Sequence, residues 1–103
     1  MKQITLEELD TEIQEQARVL LYVSSHGCSV CHSLRPKVED LSEVYPETSF
    51  RELSADTYPE LAARLEILTV PVVLFFYHGR EKWRGARFIR MDELEHVLDQ
   101  WKE

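Results

Sequence analysis

The sequence predicts an α/β fold, a mixed central sheet of four to five strands flanked by helices on both faces. Three observations carry this. Residues 19–23 and 70–77 are unbroken apolar, partly β-branched runs, the pattern of strands covered on both sides. Stretches with apolar residues at helical spacing alternate with them. The resulting order, βαβαβαββα, uses all 103 residues as a single domain, 1–103, with no linker, repeat or low-complexity tract.

Residues 2–4 read as a short edge strand. Thr5, with Glu8 three positions on, forms a capping box in which each side chain satisfies the other residue's backbone N–H. It opens a helix with Leu6, Leu9, Ile13 and Ala17 on one face. After the strand at 19–23, Leu34, Val38, Leu41 and Val44 mark a second helix running to about Tyr45, with Pro36 bending it. Residues 50–54 form another core strand. Asp56 or Thr57 caps a short helix with Pro59 in its first turn and Leu61, Ala62 and Leu65 on one face. The run at 70–77 is the strongest strand signal, and His78-Gly79-Arg80-Glu81 turns the chain into a last strand near 82–84. Asp92, with Glu95 three positions on, caps a final helix carrying Leu94, Val97, Leu98 and Trp101.

Composition removes several function classes. Nineteen acidic residues against 12 basic ones leave a net charge of −7, the wrong sign for binding phosphate backbones. The longest apolar run is far below the roughly 20 residues that span a bilayer. The first residues are acidic and lack the apolar core of a signal peptide, which places the chain in the cytosol. In that reducing setting a lone cysteine pair is catalytic or metal-binding rather than a structural staple.

The two cysteines, Cys28 and Cys31, lie where the strand at 19–23 passes into the second helix, with His26 and His32 on either side. Two chemistries fit this spacing, a redox dithiol and part of a Cys/His metal cage. At a helix N-terminus the free N–H groups and the helix dipole favour the thiolate of the first cysteine, which is the nucleophile. The second, three positions on, lies on the same face, less exposed and within reach of a mixed disulfide. A metal cage needs more ligands. Beyond His26 and His32 there remain His78, in a turn, and His96, in the last helix. Four ligands within seven residues could hardly close a tetrahedron where a helix begins. The redox reading leads, and no metal ligands are expected. The flanking histidines read as solvent-facing residues able to tune the thiolate, and Trp83 and Trp101 as packing residues.

Cys28-x-x-Cys31 on a strand-to-helix junction, Pro36 eight residues after Cys28, Thr69-Val70-Pro71 before the apolar strand, Gly79 in the hairpin and Gly85-Ala86 after the last strand stand in one register. With these marks the chain resembles the thioredoxin family over nearly its whole length. The resemblance implies a thioredoxin fold and a thiol–disulfide oxidoreductase in which Cys28 attacks a substrate disulfide and Cys31 resolves the mixed disulfide. It implies a cis Val70–Pro71 bond, leaving the backbone of Val70 free to pair with an extended substrate. The docking surface it implies comprises Gly27, Ser29, Val30, Thr69, Val70, Pro71, Gly85 and Ala86. It implies no cofactor on the chain itself, disulfide-containing protein substrates, and a flavin-dependent, NADPH-fed reductase as electron donor. The protein is read as a monomer that binds neither nucleic acid nor membrane.

Departures from the family pattern are equally specific. Gly27 stands where the family has Trp, and Ser29-Val30 where it has Gly-Pro. Tyr22 and Glu52 stand where it has a buried Asp and its partner Lys. Glu52 is therefore expected to exchange protons with Cys31, with the Tyr22 hydroxyl as its hydrogen-bonding partner. These departures leave a second reading, a thioredoxin-like adaptor module with weak or specialised redox activity. The strand and helix preceding residues 19–23 favour the thioredoxin layout over the shorter glutaredoxin one.

Overall fold

A computed structural model describes residues 1–102. Its elements are β1 (Lys2–Gln3), α1 (Leu6–Glu15), β2 (Arg18–Ser24), α2 (Ser29–Val44), β3 (Ser49–Ser54), α3 (Leu61–Arg64), β4 (Val72–Tyr77), β5 (Arg80–Ala86) and α4 (Met91–Gln100). The five strands lie in the order β1-β3-β2-β4-β5. The first three pair in parallel, β4 pairs antiparallel with β2, and β5 pairs antiparallel with β4. This is the mixed, helix-flanked sheet expected.

The alternation of side chains across the two central strands builds two cores. Val19, Leu21 and Val23 of β2 face α1 and α3, where Leu9, Ile13 and Leu61 meet them. Leu20 and Tyr22 face α2 and α4, where Leu34, Val38, Leu94 and Leu98 lie. Both faces of β2 and β4 are thus buried, which is why their sequences are continuous rather than alternating. The Thr5 capping box is present, with Thr5 Oγ1 accepting from the Glu8 N–H and a Glu8 carboxylate oxygen accepting from the Thr5 N–H.

Several boundaries differ from expectation. Ala17 lies beyond α1, and its carbonyl accepts from the His78 N–H, tying the start of β2 to the far hairpin. Asp56 caps no helix, because its carboxylate accepts from the His26 N–H, 2.6 Å away. The Ser54 hydroxyl accepts from Asp56 and Thr57 instead, and α3 begins only at Leu61. Asp92 lies inside the first turn of α4 rather than at its cap. Its carboxylate is engaged by Arg90, while Met91 packs on the α2-side core and so starts the helix earlier. β4 begins at Val72, not Val70, since Pro71 has no N–H to give to a ladder. Strand β5 is longer than expected and includes Gly85 and Ala86, which pair with Val73 and Val72.

Candidate active site

β2 delivers the chain to a short loop that ends at Cys28, the N-cap of α2. A disulfide joins Cys28 to Cys31, with their Cα atoms 5.2 Å apart. The Cys31 backbone N–H points at Cys28 Sγ, 3.1 Å away, so the capping position is filled by sulfur. No acidic residue occupies the first turn of α2 to compete with a Cys28 thiolate for the positive end of the helix dipole. A thiolate at Cys28 in the reduced protein therefore has a preformed N–H partner and a favourable dipole. Cys31 is 2% exposed and Cys28 only 7%, less than expected of an attacking sulfur. Two groups lie against it, the Val70 carbonyl oxygen at 3.9 Å and Arg87 Nη1 at 4.0 Å.

The Val70–Pro71 bond is cis. The Val70 carbonyl is not free, however, since it accepts from Arg87 Nη1 at 3.0 Å, while the Arg87 N–H donates to the Pro71 carbonyl at 2.7 Å. Arg87 itself has φ +64°, a left-handed turn immediately after Ala86. Of the expected docking residues, Val70, Pro71, Gly85 and Ala86 are brought together with Cys28 by these bonds and by the β4–β5 register. Gly27, Ser29 and Thr69 are exposed, and Val30 and Val70 half-buried. A Cβ added at Gly27 would meet no atom within 4 Å, so no close packing excludes a side chain at the position where the family has Trp.

Beneath the disulfide, the parallel register sets Tyr22 directly beside Glu52, both facing α2. The Tyr22 hydroxyl donates to the Cys31 carbonyl oxygen at 2.5 Å rather than to Glu52. Burial pushes its phenol up to about 12. Glu52, 8% exposed, is held in a two-pronged ion pair by Arg35, with Nη2 to Oε2 at 2.5 Å and Nε to Oε1 at 3.2 Å. This bond raises the Arg35 guanidinium further. The amino group of Met1 stands 3.9 Å from the same carboxylate. Cys31, Arg35 and Glu52 line one cavity of about 460 Å3 that also reaches His26 and His32. Beneath the sulfurs the substituted pair is thus a Glu52–Arg35 ion pair, with Tyr22 beside it bonded to the Cys31 carbonyl. Arg35 was not anticipated, although it lies four residues after Cys31 and so on the same helix face.

The histidines point their hydrogen bonds elsewhere. His26 is paired with Asp56, and the His32 ring meets the His26 carbonyl at 2.8 Å. Among the described residues, no three His, Cys, Asp or Glu side chains converge as a metal site would require.

A family model described as Thioredoxin matches residues 1–100. The chain is 33% identical over 102 residues to thioredoxin-like protein YdfQ of Bacillus subtilis, covering 95% of this chain and 91% of that protein. It is 30% identical over 77 residues to thioredoxin-1 of Saccharomyces cerevisiae, covering 75% of each. Among solved structures, a Plasmodium falciparum thioredoxin superposes with a TM-score of 0.88 at 19% identity, covering 98% of this chain and 99% of the other. At that identity the superposition speaks to the fold alone.

Proposed function

The chain belongs to the thioredoxin family and is a dithiol–disulfide oxidoreductase, and from that premise we propose that it reduces protein disulfides in the cytosol as a monomer recharged by an NADPH-fed, thioredoxin-reductase-type flavoprotein. The observation that carries this reading is the sulfur at the N-cap of α2, with the Cys31 N–H aimed at it and the Val70 carbonyl beside it. Among the described residues, no helix is long and apolar enough to cross a membrane.

The Cys28 thiolate attacks one sulfur of the substrate disulfide. A Cys28–substrate disulfide forms, and the displaced substrate thiolate takes up a proton. Cys31 then loses its proton and attacks Cys28 Sγ, closing the Cys28–Cys31 bond and releasing the second substrate thiol. Two electrons have passed to the substrate. Glu52 receives the Cys31 proton across the cavity they share, with Arg35 holding the carboxylate in place and Tyr22 fixing the Cys31 carbonyl.

Insulin-disulfide reduction with NADPH and a thioredoxin reductase tests this directly. Cys28→Ser abolishes turnover, and Cys31→Ser accumulates a mixed disulfide detectable by mass spectrometry. Glu52→Gln slows the resolving step, so the mixed disulfide formed in a single turnover outlives that of the wild type. An unchanged lifetime removes Glu52 from the mechanism, whereas a redox-inert Cys28 removes the reductase reading and leaves the adaptor one.

A further inference from the structure

The rim around Cys28 carries a cation, Arg87 Nη1 at 4.0 Å from the sulfur, in a chain whose net charge is −7. Arg87 forms one side of it, and the same residue walls a neighbouring groove of about 280 Å3 between α2 and the segment joining β5 to α4. Val30, Leu34 and Phe88 give this groove an apolar floor and wall, and Lys37 and Arg90 add positive charge. Phe88 is 81% exposed, and it adjoins Val30 and Leu34 in the groove rather than standing alone on the surface. Arg90 is paired with Asp92 and Glu93. Among the described residues, Lys37 and Arg87 face no carboxylate, and Arg87 instead spends its guanidinium on a neutral carbonyl, on the edge of a sulfur and on the Phe88 ring.

We propose that Arg87 is a specificity-determining residue that selects peptide disulfides flanked by acidic side chains, with the neighbouring groove seating the apolar residues beside them. The inference rests on the reading of Cys28 as the attacking sulfur. A substrate carboxylate offers Arg87 a full ion pair that two parallel N–H groups can make at once, where the neutral Val70 carbonyl accepts a single bond. The guanidinium therefore moves from carbonyl to carboxylate as the peptide arrives. That movement uncovers Cys28, now 7% exposed, and frees the Val70 carbonyl to accept from a substrate backbone N–H. An acidic segment would otherwise be repelled by the protein's net charge, so a local cationic rim decides where it lands.

The test is single-turnover reduction by pre-reduced protein of three disulfide-bonded peptides, identical except for Glu, Gln or Lys next to the attacked cysteine. The second-order rate constants should fall in the order Glu, Gln, Lys, with roughly three- to tenfold between the extremes, the range of an exposed ion pair gained and then reversed. Arg87→Gln brings the three together, and Arg87→Lys, which keeps the charge, restores the order. Equal rates in the wild-type protein overturn the proposal, as does an order that survives Arg87→Gln. A uniform loss for all three peptides also overturns it, and a parallel shift in the pH dependence of iodoacetamide alkylation would then assign Arg87 to the Cys28 thiolate instead. Failure to reduce any of the peptides overturns the reductase reading beneath it.

Discussion

Gly85 lies two residues along β5 from Trp83, so their side-chain positions share a face of the sheet. A Cβ added at Gly85 would stand 2.6 Å from Trp83 Cη2, 3.1 Å from Cζ2 and 3.4 Å from Ile89 Cγ1. The indole in turn packs on the core beneath α2 and α4. The glycine is therefore required by the protein's own packing, in addition to any approach of substrate backbone that the family resemblance implies. Gly85→Ala should destabilise the fold by about 1–3 kcal/mol, the usual cost of forcing extra volume into a packed site. A urea midpoint lowered at constant slope measures it. Trp83→Leu in the same chain should recover part of the loss, since it removes the ring the methyl group meets. An unshifted midpoint for Gly85→Ala would return the glycine to a purely substrate-facing role.

At the scale of elements, the β4–β5 hairpin turns on two residues, His78 at φ +48° and Gly79 at φ +82°. Both central positions are left-handed, as in a type I′ turn, whose preferred pair is Asn-Gly. His78 carries the steric cost of that region and recovers part of it from an edge-on contact with the Tyr77 ring, centroids 4.4 Å apart. His78→Asn should raise stability by about 0.5 kcal/mol, with the backbone bond from residue 78 to Ala17 kept. Thermal or urea unfolding checks the sign, and a loss would mean the ring contact outweighs the turn. Elements of this kind separate what a sequence shows from what it hides. The central strands and the three longer helices were legible because their periodicity reports burial on one or both faces. The caps of α3 and α4 were not: Asp56 has the right chemistry for capping but is claimed by His26, 30 positions away, and Asp92 is held by its near neighbour Arg90 inside a first turn that Met91 starts earlier. The cysteine pair and Pro71 stood out as local motifs. Arg87 could not be read at the site, since only the fold brings it across 59 positions to Cys28.

For the whole molecule, the layers on either side of the sheet differ in their acid–base character. Both strongly shifted phenols belong to the core beneath α2 and α4. Burial pushes Tyr22 up to about 12, and burial, followed by its hydrogen bond to Asp99, does the same for Tyr45. The folded state thus prefers the protonated phenol more strongly than the unfolded chain does, whose tyrosines titrate near 10. The stabilisation that follows is fully present below pH 10 and is lost as pH rises towards 12, because there the unfolded chain releases protons that the folded one retains. The oxidised protein should therefore hold a flat urea midpoint up to about pH 10 and lose stability steadily above it, with the α2–α4 layer as the source. Tyr22→Phe separates the contributions. At pH 7 it should cost about 1 kcal/mol, the loss of the hydrogen bond to the Cys31 carbonyl. Above pH 10 the gap between variant and wild type should close, because phenylalanine has no proton to lose. Parallel curves across that range would show that Tyr22 titrates as it does in the unfolded chain and that the alkaline weakness lies elsewhere.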